Sequence, residues 1–267
     1  MENLQDLTKK TIMPELGKFE VKRELGICDI HRIECEILTL PFSQRGIKNC
    51  PLCTKEQEKQ EKELQVEQER QSMQAAINRR LENSMLAPRF KEKTFVNYKA
   101  EGDKQTKILE SAKWFLENVR QSAGLILIGK TGTGKNHLAA AIIHEAVNSH
   151  TCLFTEAIKL IRTIKESWKS EGLAESQVLK QFLAPDILVI DEIGVLFGSE
   201  TERLYLTELI NDRYSHCKPT ILIANLSIQE LKAAIGDRAV DRFKENGRVL
   251  IFDWSSYRGN KTKEMEQ

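Results

Sequence analysis

The chain has 267 residues, 40% of them apolar and 30% charged, with a formal net charge of +1. That is the make-up of a globular protein with a polar surface and room for one large domain plus a small one. Near-neutral charge excludes a general polycation, so any nucleic-acid contact has to be a local patch, and the lack of a run of about eighteen apolar residues excludes a membrane span. Residues 1–6 are polar and acidic, without the basic-then-apolar order of a secretory leader. A cytoplasmic protein is therefore expected, its six cysteines reduced and either buried or metal-bound.

Residues 1–20 carry Leu4, Leu7, Ile12, Leu16 and Phe19, with Pro14 interrupting any helix; this reads as an arm or one amphipathic turn. Next come two knuckles, Cys28-Asp-Ile-His31 and Cys50-Pro-Leu-Cys53, separated by a strand-like stretch from Ile33 to Leu40. Three thiols and one imidazole at this spacing suit a structural Zn²⁺ in a ribbon-type site, held by Cys28, His31, Cys50 and Cys53. Cys35 is the rival ligand, but it lies in the strand and no second knuckle partners it. The plain alternative is ordinary reduced cysteines around a small core, which so few residues can hardly build without a staple.

From Thr54 to about Met85 the chain is Glu, Gln, Lys and Arg with no Gly or Pro, and Glu58 and Lys62 stand four apart with the acid first. Leu64, Ala75, Ile77 and Leu81 are too sparse for a heptad seam. A solvated helix linking two domains is expected, with Arg79-Arg80 as ordinary surface charge. Pro88 ends it, so the reading sets the boundary near residue 87, with an N-terminal domain over 1–87 and a second over 88–267.

Phe90 to Tyr98 is an aromatic lead-in, and Ile108, Ala112, Phe115, Leu116 and Val119 mark an amphipathic helix. The stretch Leu125-Ile-Leu-Ile128 then runs into Gly129-Lys130-Thr131-Gly132-Thr133-Gly134-Lys135-Asn136 and a small-residue helical run beginning at His137. Strand, glycine loop, helix is the context in which this pattern binds phosphate. The glycines let backbone N–H groups converge, the helix N-terminus adds partial positive charge, and Lys135 reaches the outer phosphates of ATP. Residues 129–137 are the predicted nucleotide contacts. The last position is ordinarily Ser or Thr, whose hydroxyl binds Mg²⁺; here the amide oxygen of Asn136 has to ligate the metal or a water of its shell.

Thr151 to Phe154 is a second buried strand, with Cys152 as core, and a helical region from Glu156 to Phe182 carries Lys159, Arg162, Lys165, Trp168 and Lys169. Ile187-Leu-Val-Ile190 ends in Asp191-Glu192, an acid to hold Mg²⁺ and an acid to polarise water. Acids at the exposed end of a buried strand are common by themselves; behind a phosphate loop they acquire this meaning. Pro219 to Asn225 and Arg248 to Phe252 complete five strands, and their alternation with helices implies an α/β fold with a mainly parallel sheet.

At GKTGTGKNHLAAAI, LVIDEIGV, the strand ending in Asn225, GDRAVDR and FDWSSYR the chain resembles the DnaC family of replicative helicase loaders, AAA+ ATPases related to the initiator DnaA, over about residues 90–260. DnaC proteins share the Asn after the loop lysine, whereas the broader IstB-type transposition ATPases usually keep Thr. The resemblance implies an AAA+ P-loop fold and an ATPase that uses Mg²⁺. Asn225 becomes the sensor that orients water, Arg242 the arginine finger that completes a neighbouring subunit's site, and Arg258 the second sensor; Arg238 is the alternative finger. Read from the residues alone, Arg242 would be a helix-surface partner of Asp237 or Asp241. Nine residues follow Arg258, too few for the usual helical lid, so capping of the nucleotide by a second subunit is expected. Single-stranded DNA is expected at Trp168 and at Ser199, although Trp168 reads equally well as core. The implied partner is a hexameric DnaB-type helicase, docked on the N-terminal domain, whose ribbon is reminiscent of DnaI-like loaders. The competing reading is an adaptor ATPase that binds DNA or a transposase and hardly hydrolyses ATP.

Overall fold

The computed structural model describes residues 21–40, 46–168, 175–194 and 200–257. Two of the expected site residues, Ser199 and Arg258, and the amino-terminal arm lie outside them. The chain divides into two compact units, Met1–Met73 and Gln74–Gln267.

The first unit holds a three-stranded antiparallel sheet of β1 (Lys22–Ile27), β2 (Glu34–Thr39) and β3 (Ile47–Asn49) in that order. The sequence shows β2 but hides β1 and β3, because neither alternates cleanly: β1 leaves Leu25 82% exposed, and every residue of β3 is exposed. What the unit buries instead is sulfur, a cluster of Cys28, Cys35 and Cys50 with Cys53 against it. Pro51 then opens the long helix α1 (Pro51–Asn83), which buries none of its residues fully. Pro at the first helical position suits the helix start, since its missing N–H would have no partner there.

The division between units falls within α1, whereas the sequence places it near residue 87. Residues 74–83 belong with the second unit because Ile77 and Leu81 pack on its core and Arg80 donates to the carbonyls of Val147 and Asn148 at 3.1 and 2.9 Å.

The second unit is a five-stranded parallel sheet in the order β5-β6-β7-β4-β8, formed by β4 (Gly124–Gly129), β5 (Cys152–Glu156), β6 (Ile187–Asp191), β7 (Thr220–Ala224) and β8 (Arg248–Phe252). Central strands covered on both faces are expected to be continuously apolar, and β6 and β7 are buried throughout. Side chains alternate between faces. Leu125 and Leu127 of β4 enter one core with α2 (Asp103–Glu117) and α3 (Lys135–Ala146). Ile126 and Ile128 enter the other, with α4 (Ala157–Ser167), α5 (Glu175–Leu183), α6 (Glu200–Ser215), α7 (Ile228–Ile235) and α8 (Asp237–Asn246). This is the predicted α/β architecture. Its register places the carboxyl ends together: Glu156 beside Asp191, Ile128 beside Ala224, and Gly129 beside Phe252. In parallel sheets the crevice beyond those ends is where ligands bind.

Arg213 braces the lower half of this unit. Fully buried, it donates to the carbonyls of Phe182, Pro185, Asp186 and Pro219 at 2.8–3.1 Å and to the Thr220 hydroxyl at 3.1 Å. Burial brings its pKa down to about 10.

Candidate functional site

The phosphate loop leaves β4 at Gly129, where φ is +128° and a Cβ would stand 2.1 Å from the Phe252 carbonyl oxygen. Only glycine tolerates both conditions. Gly134 caps α3 with φ +98°, and a Cβ there would meet the Tyr98 ring at 3.5 Å. The loop is clamped from outside by groups the sequence reading did not single out. Trp254 Nε1 donates to the Thr133 carbonyl at 3.1 Å, the Tyr257 N–H donates to the Gly132 carbonyl at 3.0 Å, and the Tyr257 hydroxyl donates to Gln105 at 2.8 Å. Their signal in the sequence is the aromatic run that follows the last strand.

Lys135 is buried at the base of the loop and donates to the carbonyls of Gly129 and Lys130 at 2.8 and 2.7 Å. Thr133, also buried, donates its hydroxyl to the Lys130 carbonyl at 2.7 Å. His137 lines the same cavity as Lys135, while its ring meets the Thr94 carbonyl and Asn97 at 3.1 and 2.9 Å and lies edge-on to Tyr98, tying the lead-in to α3. Burial holds its pKa below the usual imidazole value.

Asp191 ends β6 only 7% exposed. It accepts a hydrogen bond from the Asn136 side-chain amide and another from the Glu192 N–H at 2.8 Å. Burial, with Glu192 and Glu156 nearby, still pushes its carboxyl above the ordinary range. With its NH₂ turned to Asp191, Asn136 keeps its amide oxygen as an acceptor. A hard-oxygen pair with unbalanced buried negative charge is what Mg²⁺ takes, so Asn136 and Asp191 fit that ion. Glu192 follows with φ +60°, a conformation that costs a non-glycine residue about 1–3 kcal/mol and gathers at functional positions.

Asn225 sits exposed beyond β7. The next turn is fixed by Ser227, whose side chain caps α7 in a reciprocal box with Glu230. Loop, acids and Asn225 line one cavity of about 250 Å³, together with Arg89 and Phe90 of the lead-in. Lys135, Asn136, Asp191, Glu192 and Asn225 therefore converge there with four more of the predicted residues, Thr131, Gly132, Gly134 and His137.

Arg242 does not join them. It donates to Asn211 and lies with its guanidinium 4.8 Å from the Tyr214 ring centre. The expected ion-pair alternative is absent too, since Asp237 pairs with Lys232 and Asp241 with Lys244. Arg238, a turn earlier, is exposed. Trp168 is 48% exposed and so is no core residue. Its Nε1 donates to Glu175 at 2.7 Å, and its ring lies 5.6 Å from that of Tyr205.

In the first unit the ligand atoms of Cys28, His31, Cys50 and Cys53 all lie within 4.8 Å of one another. The chain turns at Arg32, where φ is +56°, and the His31 N–H points at the Cys28 sulfur at 3.5 Å. That N–H and the imidazole lower the Cys28 thiol to about 6, toward the thiolate that binds metal. The far nitrogen of His31 meets Glu56 at 3.2 Å, the carboxylate support that metal-bound imidazoles usually have. Cys35 is buried beside the group but is no part of it.

Comparison with known proteins agrees with this geometry. The sequence profile of the family described as IstB-like ATP binding protein matches residues 53–265. The replicative helicase loader DnaC of Escherichia coli K12 is 32% identical over 197 residues, which is 73% of this chain and 80% of the relative. The solved DnaC helicase loader superposes with a TM-score of 0.56 at 25% identity, over 62% of this chain and 99% of that one. DnaI, at 18% identity, shares the fold with a TM-score of 0.57 over 67% of this chain and 100% of its own. The chain thus belongs to the IstB-like ATP-binding family, within its DnaC-type group of AAA+ P-loop proteins.

Proposed function

We propose that this protein is an ATP-dependent loader that delivers a hexameric DnaB-type replicative helicase to single-stranded DNA. The observation that carries the proposal is the convergence of Lys135, Asn136, Asp191, Glu192 and Asn225 in one cavity, in a chain 32% identical to a replicative helicase loader. The loop amides and Lys135 hold the phosphates. Asn136 and Asp191 hold Mg²⁺, which supplies charge neutralisation on the transferring phosphoryl group. Glu192 polarises the attacking water and Asn225 orients it. Phosphoryl transfer depends mostly on charge placed around the terminal phosphate, so Arg242 serves a neighbouring subunit once released from Asn211, and Arg258 adds a further cation.

Binding of ATP orders the contact between subunits and the grip on DNA, and hydrolysis releases both. Trp168 offers an exposed ring for base stacking, and Ser199 is a second DNA contact. The ribbon holds one Zn²⁺, and the N-terminal part of residues 1–87, up to where the chain joins the second unit, forms the helicase-docking module.

The IstB-like profile favours one second reading, a nucleotide-stabilised adaptor for DNA or a transposase. ATP turnover with and without single-stranded DNA and DnaB-type helicase separates the two. A loader turns over ATP, responds to both additions and retains the helicase on a column. A protein that binds ATP but neither hydrolyses it nor retains helicase is the adaptor.

A further inference from the structure

The lead-in contributes one cation to the nucleotide cavity. Arg89 lies in the short 3₁₀ turn Pro88–Phe90, far from every motif that marks the nucleotide site in the sequence. The turn is held by the Phe90 N–H on the Ala87 carbonyl at 2.8 Å and the Lys91 N–H on the Pro88 carbonyl at 3.1 Å. The Phe90 ring packs against Phe154 at 6.2 Å, and the Arg89 guanidinium rests over Phe90 at 4.6 Å. Stacking of this kind orients a guanidinium without consuming its five N–H donors. Arg89 is exposed, and no ion pair engages it among the described residues.

Its position decides what it could bind. The cavity wall that includes Arg89 also includes Asn136, Asp191 and Glu192, and the same three groups Arg89, Asp191 and Glu192 line a larger cavity of about 670 Å³ along β5. Arg89 therefore stands at the acidic end of the nucleotide cavity, where metal and attacking water belong. The loop amides surround the inner phosphates, so the terminal phosphate is the group that meets this end. Two carboxylates there repel it unless cations offset them. Mg²⁺ on Asn136 and Asp191 would offset part of that charge; among the described residues the permanent cations lining the cavity are Lys135, drawn onto the loop carbonyls, and Arg89.

We propose that Arg89 contacts the terminal phosphate of the chain's own bound nucleotide and so distinguishes ATP from ADP. The assignment rests on the nucleotide reading of the cavity, and it gives the lead-in a direct part in sensing hydrolysis.

The test is calorimetric titration of full-length protein with ADP and with a non-hydrolysable ATP analogue. A charge-assisted contact to phosphate predicts that Arg89→Ala weakens the ATP analogue roughly ten- to hundredfold and changes ADP by less than about threefold. Arg89→Lys, which keeps a point charge but loses the fork, falls between. The side chain is exposed, so the ligand-free variants melt like the parent. Equal weakening of both nucleotides, or of neither, overturns the proposal. Failure of the parent to bind either nucleotide, or unchanged binding by Lys135→Ala, would instead overturn the reading on which it rests.

Discussion

Replacing Cys50 by Ser tests whether the ribbon is a metal-dependent fold. Tetrahedral Zn²⁺ with Zn–S near 2.3 Å and Zn–N near 2.1 Å sets sulfur–sulfur separations of about 3.8 Å and sulfur–nitrogen separations of about 3.6 Å. The structure has Cys28 to Cys53 at 3.5 Å, and His31 Nδ1 at 3.8, 3.7 and 3.3 Å from Cys28, Cys50 and Cys53. The four groups are thus already at the edges of the tetrahedron. Little else holds the sheet, because its buried cluster consists of the cysteines themselves while Leu25, Ile27 and Ile47 are exposed. Structural zinc supplies roughly 10–16 kcal/mol in small domains, more than a three-stranded sheet could replace by apolar burial. Elemental analysis should find one zinc per chain in the parent and in Cys35→Ser, and none in Cys50→Ser. Glu56→Gln, which removes only the support of His31, should weaken zinc about 10- to 100-fold. With zinc lost, protease should cut within residues 21–50 while the ATPase unit melts unchanged. A parent protein free of zinc when prepared without chelator, or zinc retained by Cys50→Ser, would refute the argument.

Asp191→Asn should lower ATP turnover roughly 10³-fold, since it removes the charged metal ligand. The same variant should melt higher than the parent without nucleotide. Burial raises the folded-state pKa of Asp191, so its ionised form penalises folding above the unfolded-state pKa. The stability gain should be full only above the raised folded-state pKa and vanish as pH falls below the unfolded-state value; thermal melts from pH 3 to 8 check it. Arg213→Met leaves four carbonyls without their donor. It should cost at least about 3 kcal/mol and lower the melting temperature by about 6–12 °C, read by calorimetry. Arg242→Ala and Asp191→Asn should each be inactive alone, yet a mixture should regain measurable ATPase because a finger is worth about 10³-fold or more. No rescue at any ratio of co-assembled proteins would leave Arg242 as a packing residue of Asn211 and Tyr214.

The sequence alone determined the features encoded over short spans. A glycine loop between an apolar strand and a small-residue helix has one backbone solution, and it placed Gly129 to Asn136 correctly at the mouth of the sheet. Two acids closing a buried strand, and each of the knuckles Cys28-Asp-Ile-His31 and Cys50-Pro-Leu-Cys53, likewise stand within a few residues of the geometry they specify. Strands β1 and β3 escaped because an exposed ribbon stapled by sulfur need not alternate in hydrophobicity.

Tertiary structure alone decided the partners. Asn136 meets Asp191 across 55 positions of sequence, a pairing set by the alignment of strand ends in the parallel sheet and by nothing local to either residue. Arg242 turns to Asn211, Trp168 to Glu175, and Ile77 with Leu81 joins the core of the second unit, because helices packed on the two sheet faces bring together residues whose own neighbourhoods say only that they are polar, aromatic or sparse. Arg89 is the extreme case. Its neighbourhood reads as a loop after a proline, and only the packing of Phe90 on Phe154 carries it to the wall of the nucleotide cavity.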